Sequence, residues 1–281
     1  MDSLVSTEWL AGELDAPDLK VIDASAHLPA PGRDPHAEFA AGHIPRAAFL
    51  DLPTLRDDSS PVPNALPTAE QVGRRLGQLG IARPDRVVIY DDSDIRTSAR
   101  AWFILRMHGM ARIAILDGGL PKWRAEGRPL EAGPAQQHAG AADVAPADWS
   151  RVRSKAEMRA NVETRAAQVV DARDAGRFTG EAMDGVHGLP GGHIPGARNL
   201  FFRDLYRPDG TFKSEAELRA AFAGAGVDLA RPIVTTCGSG VTASVLLFAL
   251  HRLGIEDGSL YDGSWSEWGA DPATPKETGT A

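Results

Sequence analysis

A single cysteine among 281 residues rules out an internal disulfide, and equally the ligand set of a Cys-rich zinc or iron–sulfur site. Long apolar runs are also missing. The longest, Val245 to Leu250, is far too short to span a bilayer. Basic charge is in deficit, with 38 Asp and Glu against 30 Lys and Arg and a formal net charge of −8, and there is no long basic run. That balance argues against a nucleic-acid footprint or a polybasic membrane anchor. The opening stretch, MDSLVSTEWLAGELDAPDLK, has no basic segment leading into an apolar one, so no secretory signal is expected and the cytoplasm is the expected compartment. There the lone thiol stays reduced and available. What is present is an apolar share of 43% and enough chain for one large α/β domain or two of ordinary size.

The two halves echo each other. VIDASAHL (Val21 to Leu28) resembles VVDARDAG (Val169 to Gly176), and AAGHIPRAAFLDL (Ala40 to Leu52) resembles PGGHIPGARNLFF (Pro190 to Phe202). RVVIYDD (from Arg86) matches RPIVTTC (from Arg231), and LDGGLPKW (from Leu116) matches YDGSWSEW (from Tyr261). Four ordered blocks at a nearly constant offset are the mark of a duplicated domain, since solenoid repeats are several-fold shorter. Between the copies, GPAQQHAGAADVAPADW (Gly133 to Trp149) loses the periodic apolar pattern. The expected domains are therefore residues 1–145 and 146–281.

Within each half, short β-rich runs alternate with helical patterns: Lys20 to Ile22, Val87 to Tyr90 and Ile113 to Leu116, then Gln168 to Val170, Ile233 to Thr236 and Ser259 to Tyr261. Thr68-x-x-Gln71, Ser154-x-x-Glu157 and Ser214-x-x-Glu217 each read as a capping box opening a helix. The alternation predicts an α/β fold, each half a mostly parallel sheet with helices on both faces.

PIVTTCGSGVTASVLLFALHRLG, from Pro232 to Gly254, reads as a buried strand, a loop from Cys237 to Thr242, and an apolar helix. This order places Cys237 at the carboxyl end of a sheet strand, where open α/β folds bind their ligands. Gly238 and Gly240 let the loop backbone curl, so that its N–H groups and the helix N-terminus can meet at one anion. A thiolate is such an anion. An ordinary cysteine, with a pKa of about 8.5, is only slightly ionised at neutral pH, and holding a thiolate there takes roughly 2 kcal/mol of preferential stabilisation. In the first half the position matching Cys237 reads as Asp92, with no Gly-Ser-Gly loop. Thiol chemistry is therefore confined to the second half, and the first is expected to close over it.

Several thiol chemistries are excluded by single positions. A cysteine phosphatase needs an Arg six residues after its Cys, and that residue is Ala243. A CxxC redox pair needs a second Cys at Gly240. A Cys–His protease stays open on this ground alone. The remaining reading is a nucleophile that accepts an atom and passes it on.

The HIP motif in both halves, DGG…W in the first, YDGSWSEW in the second and a Cys in the second only together resemble a two-domain rhodanese-type sulfurtransferase over nearly the whole chain. The neutral CGSGVT loop is similar to that of the 3-mercaptopyruvate-using members, whereas thiosulfate users carry basic residues after the Cys. The resemblance implies that sulfur moves from 3-mercaptopyruvate through a Cys237 persulfide to a thiol acceptor, a thioredoxin-like protein or cyanide, releasing pyruvate. It implies no metal and no organic cofactor. The alternatives are thiosulfate as donor, or a persulfide carrier without turnover. Gly238, Gly240, Val241 and Thr242 are implied to bind substrate. Ser239 is implied to face His43 of the first domain, oriented by Asp34, as a relay that protonates the leaving enolate or polarises the donor's carbonyl. Arg177 is implied to hold the donor's carboxylate. A second Arg expected nine residues on is replaced by Val186, with His187 beside it, and Arg46 is a candidate to compensate.

Overall fold

The computed structural model describes residues 1–29, 32–135, 138 and 140–280. It contains two compact units. The first comprises Met1–Asp57, Leu66–Ala147 and Pro208–Phe212, and the second Asp58–Ala65, Asp148–Arg207 and Lys213–Ala281. The main division thus falls after Ala147, and each unit also includes a short segment drawn from the other half of the sequence.

The first unit carries strands β1 (Leu4–Val5), β2 (Leu19–Asp23), β3 (Ala47–Phe49), β4 (Arg86–Tyr90) and β5 (Ile113–Leu116). Its helices are α1 (Thr7–Glu13), α2 (Pro35–Ala41), α3 (Ala69–Gln78), α4 (Ser98–Met107) and α5 (Gly119–Ala125). The second unit repeats the set with β6 (Val152–Arg153), β7 (Gln168–Asp171), β8 (Arg198–Asn199), β9 (Ile233–Thr236) and β10 (Ser259–Tyr261). Its helices are α6 (Lys155–Thr164), α7 (Ala175–Thr179), α8 (Glu215–Gly224), α9 (Ala243–Arg252) and α10 (Ser264–Trp268). The strand orders are the same, β1-β5-β4-β2-β3 and β6-β10-β9-β7-β8, and the pairs between named strands are parallel. Every residue of β5, β9 and β10 is buried, which requires cover on both sheet faces.

The sequence patterns form the elements they predict. All three capping boxes are complete, with the Thr68, Ser154 and Ser214 hydroxyls accepting from the third helical N–H and Gln71, Glu157 and Glu217 accepting from the cap N–H in return. The short edge strands β1, β3, β6 and β8 lie outside the runs read from sequence; at two or three residues each, they are too short to show a period. The core also repeats. Trp123 and Trp268 are fully buried, and each donates its indole N–H to a proline carbonyl, of Pro129 and Pro275, at 2.8 Å.

The segment between the copies is strapped onto the first unit. His138 N–H donates to the Gln78 carbonyl, Ala142 N–H to Gly73 and Ala145 N–H to His108. Gln136, Gln137 and Ala139, part of the expected linker, lie outside the described residues. The strap sits so close to α3 that a side chain at Gly77 would run into Gly140 and Ala141.

In an open helix Gly→Ala gains about 1 kcal/mol, but forcing a methyl into packed backbone costs roughly 1–3 kcal/mol. Gly77→Ala is therefore expected to lower the denaturation midpoint and to speed proteolysis between residues 133 and 147. A stabilised variant would show that the strap yields freely.

Candidate active site

In each sheet the chain leaves β2 or β7 towards one edge and β4 or β9 towards the other, so the topological switch lies between these central strands. In the second unit that crevice receives Arg173 just past β7 and Cys237 just past β9. Cys237 is buried, with 2% of its surface exposed. Its backbone is fastened from the first turn of α10. Cys237 N–H donates to Ser264 Oγ at 3.1 Å, Trp265 N–H donates to the Cys237 carbonyl at 2.9 Å, and Ser266 N–H donates to the Gly238 carbonyl at 2.8 Å. Ser264 holds a left-handed φ of 49°, unusual for a residue with a side chain, and its hydroxyl also donates to the Tyr261 carbonyl. The YDGSWSEW motif is thus the clamp of the cysteine loop.

Gly240 has φ +80°, the conformation that lets the loop turn into α9. Gly238 is needed for space instead, because a Cβ there would collide with the His187 ring. Among the described residues, the N–H groups of Gly238, Ser239, Val241 and Thr242 donate to no protein acceptor. The Ser239 carbonyl accepts from Asn64 Nδ2 at 3.0 Å, and Asn64 lies in the Asp58–Ala65 segment of this unit.

Behind the loop is a cluster of charges. The Arg173 guanidinium is fully buried, pairs with the Asp171 carboxylate down to 2.7 Å, donates to the Gly192 carbonyl and lies 4.6 Å from the Trp265 ring centroid. Burial works against its charge, but Asp171, Asp184 and the Cys237 sulfur outweigh this and hold its pKa above the usual arginine value. Asp184, also fully buried, lies 3.6 Å from Arg173 Nη1, 3.7 Å from Arg177 Nη1 and 2.9 Å from His187 Nδ1. Burial pushes the Asp184 carboxyl up, yet the His187 hydrogen bond and the neighbouring Arg177 and Arg173 guanidiniums leave it below the ordinary carboxylate value. Arg177 is partly exposed on α7, and its Nε donates to Asp174 Oδ2 at 2.5 Å. Val186 is 47% exposed and has no place in the cluster.

The first unit shows the same scaffold without the chemistry. Asp23 pairs with Tyr90 across β2 and β4, as Asp171 pairs with Thr236 across β7 and β9, so the residue matching Cys237 is Asp91 and not the expected Asp92. The Leu120 N–H to Asp91 carbonyl bond repeats the Trp265 N–H to Cys237 bond. The misalignment arose because the first loop is one residue longer before its helix. The Asp91 carboxylate, buried, accepts from Ser93 N–H at 2.9 Å and Ser98 N–H at 2.8 Å, taking up amides of its own loop. Ser25 stands where the second unit has Arg173, and with no guanidinium beside it burial pushes the Asp23 carboxyl up to about 6.

Two expectations are corrected here. Asp34 does not orient His43: its carboxylate caps α2, accepting from His36 and Ala37 N–H, while His43 Nδ1 donates to the Phe39 carbonyl at 2.8 Å. The buried His43 ring stacks on Phe39 at 3.9 Å, and its twin His193 stacks on Phe178 at 3.9 Å and bonds the Phe178 carbonyl. Each histidine also pairs its backbone with a glutamate, Glu131 or Glu277, so the HIP motif builds a turn in both copies. Arg46 does not stand free to compensate for Val186. Its Nη1 donates to the Leu14 carbonyl and Asp15, and its N–H to Glu131 Oε2, as Gly196 N–H does to Glu277 Oε2.

Sequence reading missed Arg173, Asp184 and Asn64. Arg173 had a signal, the Asp-Ala-Arg against Asp-Ala-Ser contrast between the copies; Asn64 had none, since it lies in the other half of the sequence.

A strand-end thiol in a clamped loop, in one of two copies of a parallel α/β unit, defines a class. The chain belongs to the rhodanese family: the rhodanese-like domain matches residues 6–126 and again 154–271. It is 40% identical over 272 residues to the human 3-mercaptopyruvate sulfurtransferase, covering 95% of this chain and 91% of that protein. It is 37% identical to the Arabidopsis thaliana mitochondrial thiosulfate/3-mercaptopyruvate sulfurtransferase 1, over 99% of this chain and 78% of that protein. The crystal structure of the 3-mercaptopyruvate sulfotransferase SseA from Escherichia coli superposes with a TM-score of 0.84 at 35% identity, covering 94% of this chain and 99% of that one.

Removing the clamp tests the loop. Ser264→Ala and Ser264→Gly both leave the buried Cys237 N–H without its acceptor, at a cost of about 1–3 kcal/mol. Glycine suits the left-handed φ, so Ser264→Gly should unfold at higher denaturant than Ser264→Ala, while both alter the alkylation rate of Cys237 by the same factor. Wild-type alkylation in both variants would show that the hydroxyl does not hold the loop.

Proposed function

We propose that this chain is a 3-mercaptopyruvate sulfurtransferase with Cys237 as nucleophile. The observation that carries this reading is the sole thiol, buried at the end of β9 in a neutral loop where, among the described residues, the N–H groups of Gly238, Ser239, Val241 and Thr242 donate to no protein acceptor. The Cys237 thiolate attacks the donor's sulfur. The sulfur–carbon bond breaks with its electron pair going to carbon, which leaves pyruvate enolate and a Cys237 persulfide. Proton uptake at carbon gives pyruvate. An acceptor thiolate then attacks the outer sulfur and restores the Cys237 thiolate; cyanide gives thiocyanate instead.

Gly238, Gly240, Val241 and Thr242 supply the loop that holds the persulfide, through backbone donors that stabilise a sulfur anion. Ser239 offers its hydroxyl to the donor's carbonyl, and Arg177 faces the donor's carboxylate. Asp34 is omitted from the machinery, since its carboxylate caps α2; His43, whose Nδ1 is taken by the Phe39 carbonyl, keeps its Nε2 for a relay with Ser239. The single reduced thiol fits a reducing compartment such as the cytoplasm, and a thioredoxin-like protein or a small thiol is the acceptor we favour.

Intact mass after mixing with 3-mercaptopyruvate should show the gain of one sulfur atom, absent in Cys237→Ser. No gain in the wild type would overturn the reading, and a gain without pyruvate turnover in the presence of a thiol would make the protein a carrier. Faster thiocyanate formation from thiosulfate than from 3-mercaptopyruvate would reassign the donor. Arg177→Ala should raise KM for 3-mercaptopyruvate more than it lowers kcat; equal loss in both would place Arg177 in the transition state.

A further inference from the structure

Three carboxylates, Asp171, Asp174 and Asp184, face two guanidiniums, Arg173 and Arg177, around the cysteine loop. The cluster carries a net negative charge as long as the His187 imidazole is neutral, and the thiolate adds to it. Both arginines are engaged by carboxylates within the cluster. Arg177, shared between Asp174 and Asp184, therefore offers a negatively charged donor only part of its charge, and one more positive charge beside the loop would strengthen the hold.

His187 is the group in position to supply that charge. Its ring lies against Gly238, the residue after the nucleophile, so closely that a methyl group there would not fit. Its Nδ1 is held by the buried Asp184 at 2.9 Å, which fixes the ring plane and assigns the proton at Nδ1. Among the described residues its Nε2 has no protein partner, and the side chain is 15% exposed. A histidine held by a buried acid, with its other nitrogen open beside a nucleophile loop, presents an acceptor when neutral and a donor when charged.

We propose that His187, as the imidazolium, is the switchable binding group for the carboxylate of the sulfur donor. Nε2–H donates to the donor's carboxylate, and Asp184 positions the ring. This takes over the charge missing at Val186. The inference rests on the donor reading above. Asp184 bonds the ring directly, Arg173 and Arg177 reach it through that shared carboxylate, and Cys237 precedes Gly238, against which the ring packs. Imidazole is the side chain that changes charge between about pH 5 and 8. Binding needs its protonated form, so donor affinity is highest at low pH and falls as pH rises through the titration.

The test compares two donors, 3-mercaptopyruvate and the carboxylate-free mercaptoacetone, in wild type, His187→Gln and His187→Arg, with KM and kcat read separately from about pH 6 to about pH 8.5. In the wild type, KM for 3-mercaptopyruvate should rise about tenfold across this range relative to KM for mercaptoacetone. His187→Gln should raise KM for 3-mercaptopyruvate about tenfold at the acid end and flatten its pH profile, with less than about a twofold shift for mercaptoacetone. His187→Arg, permanently charged, should restore a low KM that no longer depends on pH. A wild-type KM and pH profile in His187→Gln overturns the proposal, as does an equal effect on both donors, which would mark the ring as packing for the loop. Sulfur loading of Cys237, followed by intact mass, keeps the two readings apart: loading from neither donor in the wild type defeats the activity itself, whereas loading with no His187 dependence defeats only this inference.

Discussion

The first turn of α10 holds the main chain of Cys237 and Gly238 through three hydrogen bonds, and the rest of the site depends on that grip. Because the backbone is fixed from the side, the N–H groups of Gly238, Ser239, Val241 and Thr242, which donate to no acceptor among the described residues, stay available for an anion. The left-handed φ at Ser264 costs on the order of 1–3 kcal/mol, and two hydrogen bonds of its hydroxyl, to Tyr261 and from Cys237, offset it. The grip also keeps the thiol in a dry setting beside Arg173, where charges act over short distances in a medium of low dielectric.

The two copies separate scaffold from chemistry. Sheet order, the buried tryptophans with their proline carbonyls, the stacked histidines and the glutamate-paired HIP turn occur in both. What differs is a handful of side chains. Where one copy has Cys237, Arg173 and Ser264, the other has Asp91, Ser25 and Gly119, the last with φ +57°. The Asp91 carboxylate is a covalently attached acceptor for its own loop amides, so the Ser93 and Ser98 N–H groups are satisfied without any ligand. The cysteine copy reaches the same state only when sulfur is ionised or substrate is bound.

Strands, helix starts and the duplication were legible because each is a local pattern: apolar runs, Ser/Thr-x-x-Glu/Gln caps and repeated blocks. The nucleophile was legible from the glycines around it. The partners of the charges were not. Which acid a histidine meets is decided by tertiary packing, and Asp34, near His43 in sequence, turned out to be a helix cap, while a backbone carbonyl four residues away bonds the ring. Asp184 lay unread in a stretch that departs from the family pattern, although it organises both Arg177 and His187. The Asp91 register required the sheet pairing, since the loops differ in length by a residue.

The exchange of short segments between the units has an evolutionary side. A freshly duplicated domain can be deleted, shuffled or inherited as a module, because all of its parts lie in one stretch of gene. Here the second unit includes Asp58–Ala65, and with it the Asn64 amide that binds the Ser239 carbonyl, encoded ahead of most of the first unit. A gene fragment encoding only the second half would lack part of its own cysteine loop environment. Recombination between the halves is therefore penalised, and the pair is held together as one heritable unit even though the thiol belongs to one copy.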